Sequence, residues 1–135
     1  MEKQKKVIDA SVIVKWFLNE ENSEKALKIR EDHILEKTIL IIPELTFIEI
    51  LNALRYKGTN VQRLLDVNKS LWEMQFKVEK INSFILDKAI ENSIKYNITI
   101  YDSLYVTIAQ IHGTSLITAD KELLKIPNSI SLDKI

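Results

Sequence analysis

Residues 5–16 read KKVIDASVIVKW, an apolar run interrupted by one acid, Asp9, which is followed by two small residues. The part KKVID has the pattern of a short buried strand. The part ASVIVKWFL, residues 10–18, has the pattern of a helix that Ser11 could cap. Asp9 is therefore predicted to end the first strand. An ionised carboxylate in such a place is costly unless it contacts water, a partner or a metal ion.

The alternation of strand and helix continues along the chain. Strands are predicted for residues 38–42 and 114–118, a short extended piece for residues 76–81, and an edge strand for residues 129–133. Helices are predicted for residues 21–37, 43–57, 59–74, 82–97, 101–113 and 119–126, with Pro43 opening the third helix of the chain and Gly58 ending it. This order predicts an α/β sandwich with a parallel sheet.

The composition limits the class of protein more than it indicates a function. With 135 residues, of which 46% are hydrophobic, we expect one domain that spans residues 1–135. Nineteen basic and nineteen acidic side chains cancel, so the net charge does not indicate a partner. The chain has no cysteine and no apolar stretch long enough to cross a membrane, so we expect a soluble, cytoplasmic protein.

Three aspartates occupy positions where ligand sites form in parallel sheets, at the carboxyl ends of strands or the start of helices. Asp9 ends the first strand, Asp120 follows a strand within LITADKELL, and Asp102 opens a helix in ITIYDSLYV. Each has an ordinary alternative, because aspartate often caps a helix N-terminus and complements the helix dipole.

The fourth acid, Glu49, lies in the middle of a predicted helix, in TFIEIL, where it cannot cap anything. Thr46 and Asn52, one turn away on either side, make a stripe that lines either a cleft or a solvated helix face. Two carboxylates about 4 Å apart repel by roughly 4 kcal/mol at an effective dielectric constant near 20, so a cluster of acids needs protons, cationic side chains or a metal. Oxygen ligands favour Mg²⁺ or Mn²⁺, and His33 and His112 read as a surface residue and a helix-end residue rather than as zinc ligands.

Four segments together resemble the PIN-domain family, in particular the small VapC-type toxins of type II toxin–antitoxin systems. They are VIDASVIVKW, PELTFIEILNALR, TIYDSLYVTIA and LITADKEL, and the resemblance extends over essentially the whole chain. It implies a three-layer α/β/α sandwich with a central, mainly parallel sheet of four to five short strands. It also implies a metal-dependent endoribonuclease that hydrolyses RNA phosphodiester bonds and leaves 5′-phosphate and 3′-hydroxyl ends.

The resemblance also assigns roles to residues of this sequence. Asp9, Asp102 and Asp120 correspond to the metal-binding acids, and Glu49 completes the site or orients the attacking water. The resemblance implies three supporting polar residues: Ser11 and Thr118, as neighbours that bind the metal's water or a phosphate, and Asn52, one turn after Glu49, where such proteins often have a polar residue. The implied cofactor is Mg²⁺ or Mn²⁺.

RNA binding and partners give further expectations. An acidic pocket repels the RNA backbone, so cations are needed at its rim, and the candidates near the motif helices are Lys15, Arg55, Lys57 and Lys121. Four aromatic residues, Trp16, Phe17, Phe47 and Trp72, either belong to the core or form exposed apolar patches. The family resemblance favours a homodimer and a VapB-type antitoxin segment that lies in a groove between the early helices, with a basic side chain that reaches the acids.

Three alternatives remain open at the level of the sequence. A PIN-type nuclease of RNA maturation or turnover would need no antitoxin. A receiver-like signalling domain also binds Mg²⁺ with acids at strand ends, although Ala10 rather than a second acid follows Asp9, and Glu49 lies within a helix. A degenerate binding module would keep the fold without cleaving RNA.

Overall fold

The computed structural model describes residues 3–135, which build a five-stranded sheet with helices on both faces. The strands are β1 (Gln4–Ile8), β2 (Thr38–Pro43), β3 (Lys77–Glu79), β4 (Leu116–Thr118) and β5 (Ser129–Ser131). Their spatial order is β3-β2-β1-β4-β5, and every neighbouring pair is parallel.

One or two helices separate each strand from the next along the chain. The helices are α1 (Ala10–Ile13), α2 (Ser23–Ile34), α3 (Leu45–Tyr56), α4 (Val61–Glu73), α5 (Ser83–Tyr96), α6 (Ile100–His112) and α7 (Lys121–Leu124). Short 3₁₀ segments follow α1, at Val14–Trp16, and β5, at Leu132–Lys134. Within residues 3–135, no helix is long and apolar enough to cross a bilayer.

The two faces of the sheet are covered by different helices, because successive side chains of a strand point to opposite faces. Ile8, Leu40 and Ile117 contribute to one core, in which they pack with apolar side chains of α1 to α4. Val7 and Leu116 contribute to the core on the other face, with apolar side chains of α6 and α7. A smaller cluster joins α5 to α6. The result confirms the predicted three-layer sandwich with a parallel sheet of five short strands.

The strand order also bears on the receiver-like alternative. In the flavodoxin-like order of receiver domains, β1 lies between β2 and β3. Here β1 pairs with β2 on one side and with β4 on the other, and β3 pairs with β2 at the edge. The receiver-like alternative is therefore excluded by topology.

Two predicted boundaries differ from the structure. The first helix was expected to cover residues 10–18, but the α-helix ends at Ile13 and continues as a single 3₁₀ turn. The β-branched run from Val12 to Val14 has low helix propensity, which accounts for the short helix. Pro43 is the last residue of β2 rather than the first of a helix, and α3 begins at Leu45.

His33 was expected on the surface of a charged helix, and the structure shows instead that it links three elements. Its Nδ1 accepts a hydrogen bond from the Leu40 main-chain N–H at 3.1 Å, and its Nε2 lies 2.7 Å from the Met74 carbonyl oxygen. The ring also stacks on Phe76. His33 therefore has a structural role in fastening α2 to β2 and to the end of α4.

The four aromatic residues divide between core and surface. Trp16 and Phe47 are buried, and Phe17 packs half-buried against the same core. Trp72 is 60% exposed, although its ring stacks nearly parallel on Phe47 with the ring centroids 4.1 Å apart. The expectation of an exposed aromatic patch therefore holds for Trp72 alone.

Candidate active site

Asp9 lies at the carboxyl end of β1 and is 4% exposed. It occupies the N-cap position of α1, but its side chain makes no capping hydrogen bond. Instead, its Oδ1 accepts a hydrogen bond from the Ser11 hydroxyl at 2.5 Å, and its Oδ2 accepts one from the Thr118 hydroxyl at 2.6 Å. The capping alternative is therefore wrong for Asp9, and a buried carboxylate is held in place by two neutral donors.

The two hydroxyl groups also fix the loop that contains Asp120. Ser11 Oγ accepts a hydrogen bond from the Ala119 N–H at 3.0 Å, and Thr118 Oγ1 accepts one from the Asp120 N–H at 2.9 Å. The end of β1 and the end of β4 are thus tied together through Asp9. Ser11 and Thr118, which the sequence analysis assigned to a metal-bound water or a phosphate, both donate to the Asp9 carboxylate in this structure.

Asp102 and Asp120 differ in their relation to the helices that they begin. Asp102 lies in the first turn of α6, where Thr99 caps the helix by accepting a hydrogen bond from the Asp102 N–H at 3.1 Å. Its carboxylate is therefore not needed as a cap. Asp120 is the N-cap of α7, and its Oδ1 accepts a hydrogen bond from the Glu122 N–H at 2.9 Å. The capping alternative is correct for Asp120, which still has a second carboxylate oxygen.

Glu49 points from the middle of α3 towards α6. Its Oε1 accepts a hydrogen bond from the Tyr105 hydroxyl at 2.5 Å. Burial raises the pKa of Glu49, the hydrogen bond from Tyr105 opposes this rise, and the charge of Asp102 adds to it. The alternative of a freely solvated glutamate is therefore wrong.

The four acids share one electrostatic environment. Burial raises the pKa of Asp9 to about 6; the hydrogen bonds from Ser11 and Thr118 limit the rise, and the charge of Asp120 contributes to it. Burial and the charge of Asp120 also raise the pKa of Asp102. Each of the four carboxylates therefore either raises the pKa of another acid of the set or has its own pKa raised by the charge of one.

Within residues 3–135, no lysine or arginine forms an ion pair with any of the four acids. In the same part of the chain, no group of three or more acidic or histidine residues is arranged so that it could hold a metal ion directly. The donor set nevertheless fits a hard divalent cation, because it consists of oxygen atoms whose negative charge no protein cation neutralises.

Within residues 3–135, the side chains of the other predicted site residues form no hydrogen bond or ion pair with the four acids. Asn52 is exposed on α3, where it borders a groove between α3 and α4. Lys15 and Lys57 both form ion pairs with Glu20, at 3.9 and 3.3 Å. Arg55 is exposed beside the same groove, and Lys121 is exposed directly after Asp120. Lys121 is therefore the predicted cation nearest in sequence to the acids.

The sequence analysis did not identify Tyr105, which the structure brings to the site. Its side chain is 1% exposed, and its hydroxyl contacts both Glu49 and Thr46. In the sequence, Tyr105 is one apolar position in a helix that is buried from Ser103 to Ala109. The available signal was its spacing, one helical turn after Asp102.

Fold and site together define a class of protein: a parallel α/β domain with one buried acid directly after β1 and three partly buried acids, on α3, in the first turn of α6 and after β4. The comparison with known proteins agrees, because residues 6–128 match the PIN domain family. The chain belongs to the PIN-domain family.

Three relatives illustrate the similarity. The chain is 31% identical over 125 residues to Ribonuclease VapC3 of Pyrobaculum aerophilum, and the alignment covers 88% of this chain and 92% of that protein. The crystal structure of PAE2754 from the same organism is 25% identical, with a TM-score of 0.71 and coverage of 97% and 91% of the two chains. The toxin–antitoxin complex from Klebsiella pneumoniae is 17% identical, with a TM-score of 0.72 and coverage of 93% and 96%, and this likeness concerns the fold.

Proposed function

We propose that this protein is a metal-dependent endoribonuclease and that it acts as the toxin of a VapBC-type toxin–antitoxin pair, with residues 1–135 as a single PIN domain. The observation that supports the activity most directly is the cluster of four acids without a cationic partner in residues 3–135, at the edge of the sheet where parallel folds bind ligands. Membership of the PIN-domain family and the 31% identity to Ribonuclease VapC3 support the choice of RNA as substrate.

The four acids have two roles in this proposal. Asp9, Asp102 and Asp120 would hold Mg²⁺ or Mn²⁺, directly or through water, and Glu49 would complete the site or orient the attacking water. A divalent ion held there would supply the positive charge that attracts an RNA phosphate, lowers the pKa of a bound water and stabilises the charge that develops during in-line attack. Ser11 and Thr118 keep the Asp9 carboxylate oriented without neutralising it. The products end in 5′-phosphate and 3′-hydroxyl.

The cationic rim is assigned to Arg55 and Lys121, which are exposed. Lys15 and Lys57 are less available to RNA, because both are engaged by Glu20. RNA phosphates would have to compete with that carboxylate for either lysine.

The proposed partners are an antitoxin and a second copy of the chain. The groove between α3 and α4 offers a surface for an apolar antitoxin segment, because its lining includes Ile48, Leu51, Val61, Leu64 and Leu65. Asn52, which also lines this groove, lies one helical turn after Glu49 on α3, so a basic side chain of a segment in this groove has a short path to Glu49. Such a cation satisfies the repelling carboxylates and competes with the metal.

The activity is tested by incubating the protein with a mixed RNA substrate in Mg²⁺, in Mn²⁺ and in chelator. We expect cleavage with either metal and none with chelator. The variants Asp9→Asn, Asp102→Asn and Asp120→Asn should each lose at least about 100-fold in rate while keeping their circular dichroism spectra, since even loss of an outer-shell partner of a metal typically costs 10- to 100-fold. Asp87→Asn, which changes an exposed aspartate of α5, is the matched control.

Two results would contradict the activity: cleavage that persists in chelator, or a wild-type rate in Asp9→Asn. The toxin role is tested separately, by adding the product of an adjacent antitoxin gene in saturating amount. Undiminished cleavage would contradict the toxin role and favour the alternative of a nuclease of RNA maturation or turnover that has no antitoxin. Sedimentation of the free protein at micromolar concentration tests the homodimer, and a monomer would contradict it.

A further inference from the structure

Tyr105 links the two helices that hold Glu49 and Asp102. Its ring packs in the core between the sheet and α6, together with Val7 and Ile41. Its hydroxyl group reaches across to α3 and meets two side chains there, those of Thr46 and Glu49. The two are three residues apart, so they lie on the same face of α3 and the tyrosine bridges them.

The hydrogen bonds around this hydroxyl have a defined direction. The Thr46 hydroxyl donates to the Tyr105 oxygen at 3.0 Å, and Tyr105 donates to Glu49 Oε1 at 2.5 Å. The phenol oxygen accepts the hydrogen bond from Thr46. The single phenol proton is therefore available to be donated to Glu49. The chain of donors thus runs from Thr46 through Tyr105 to the Glu49 carboxylate.

Only one of the two Glu49 oxygens is engaged in this way. Among residues 3–135, no side chain or main-chain group donates to Oε2. Glu49 is only half-buried, and a glutamate side chain loses considerable rotational freedom when it is held in one orientation. The Tyr105 hydroxyl supplies that restraint from a buried, rigid position.

We propose that Tyr105 is a positioning residue for the ribonuclease reaction: its hydroxyl fixes Oε1 of Glu49 so that Oε2 faces the acid cluster. This inference rests on the proposed function, since it concerns how Glu49 orients water or completes the site. Tyr105 does not touch the substrate, and it acts through Glu49 alone. Thr46 supports this arrangement, because its hydroxyl donates to the Tyr105 oxygen and leaves the Tyr105 proton directed at Glu49.

The test is a double-mutant cycle of Tyr105→Phe and Glu49→Ala with an RNA oligonucleotide as substrate. Phenylalanine keeps the ring in the core and removes only the hydroxyl. We expect kcat to fall by roughly 10- to 100-fold in Tyr105→Phe, the range typical of groups that orient a ligand of the site. KM should stay within about twofold, and in the Glu49→Ala background the tyrosine substitution should change kcat less than about twofold.

A second readout is independent of turnover. The ¹³C resonance of the Glu49 carboxyl group, assigned in metal-free protein by its loss in Glu49→Ala, should shift in Tyr105→Phe. The matched control is Tyr96→Phe, which removes the hydroxyl of another partly buried tyrosine at the end of α5. This control should change neither the Glu49 resonance nor kcat.

The outcomes separate this inference from the proposed function. If the wild-type protein cleaves RNA and Tyr105→Phe keeps its kcat, the inference is overturned and the function stands. A decrease in kcat of the same size in both backgrounds means that the hydroxyl acts on the fold and not through Glu49, which also overturns the inference. If the wild-type protein shows no metal-dependent cleavage, the proposed function fails and the inference fails with it.

Discussion

Replacing Asp9 with asparagine should stabilise the metal-free protein at neutral and alkaline pH, although it removes an acid of the site. Asp9 is buried, and burial is the largest cause that raises its pKa to about 6. The rise from the ordinary value of 3.8 to about 6 corresponds to about 3 kcal/mol, at 1.36 kcal/mol per pKa unit. That free energy is the cost of keeping the carboxylate ionised in the fold.

The sign of the pH dependence follows from the direction of this shift. Because the pKa is higher in the folded protein, the folded state binds the Asp9 proton more tightly than the unfolded chain does. Stability therefore decreases as the pH rises above about 3.8, and the loss is complete above about pH 6. At pH 8 the full cost is present, whereas at pH 4.5 it has fallen to about 1 kcal/mol.

Asparagine removes the charge but also one acceptor. Ser11 and Thr118 both donate to the carboxylate, and the amide of asparagine has only one oxygen. One hydroxyl must turn away or lose its partner, which costs about 1 kcal/mol. The net gain in the free energy of unfolding should therefore be about 2 kcal/mol at pH 8 and close to zero at pH 4.5.

The assay is urea unfolding followed by circular dichroism in the presence of chelator, at pH 8 and at pH 4.5. Asp87→Asn is the control, because this exposed aspartate should change the free energy of unfolding by less than about 0.5 kcal/mol at either pH. An Asp9→Asn variant that is less stable than wild type at pH 8 would refute the reasoning. A gain of equal size at both pH values would refute it as well.

Three further predictions concern other parts of the molecule. Glu49→Gln should slow RNA cleavage with a smaller loss of Mn²⁺ affinity than Asp9→Asn, as measured by calorimetry; equal losses of both would make Glu49 a direct ligand. Lys121→Ala should weaken RNA binding, measured by fluorescence anisotropy, and should reduce the slope of log Kd against log salt by about 0.7. The control Lys69→Ala on α4 should change neither quantity, and an unchanged slope in Lys121→Ala would exclude Lys121 from the rim. His33→Leu should lower the free energy of unfolding by about 2 kcal/mol, because the Leu40 N–H and the Met74 carbonyl each lose a hydrogen-bond partner. An unchanged midpoint in urea unfolding would contradict this prediction.

Most of the fold was predictable because its elements have strong local signals. The buried strands of β-branched residues and the helices with apolar stripes follow one another in the order that a parallel sheet needs. Apart from the two helix boundaries, the errors arise where a residue's role depends on partners elsewhere in the chain. His33 lies on a charged helix, and nothing near it in the sequence shows that its ring reaches Leu40 and Met74.

The same limit applies to the site. The positions of Asp9, Asp102 and Asp120 are local properties, since each follows a strand or begins a helix. Tyr105 could not be separated from its apolar neighbours, because the partners of its hydroxyl lie on α3, 56 and 59 positions away in sequence. A buried tyrosine in an apolar helix is most simply read as part of the core, and its ring indeed belongs there.

The way in which the acids are held preserves the negative charge of the cluster. Asp9 and Glu49 are oriented by the hydroxyl groups of Ser11, Thr118 and Tyr105, which are neutral donors. A neutral donor satisfies a carboxylate oxygen and fixes its direction, but it leaves the full negative charge in place. A lysine or arginine in the same position would cancel that charge and stabilise the metal-free fold. Orientation by hydroxyl groups thus keeps the raised pKa values and the stability cost of the free protein. Under the proposed function, a bound divalent ion or a basic side chain of an antitoxin would relieve both.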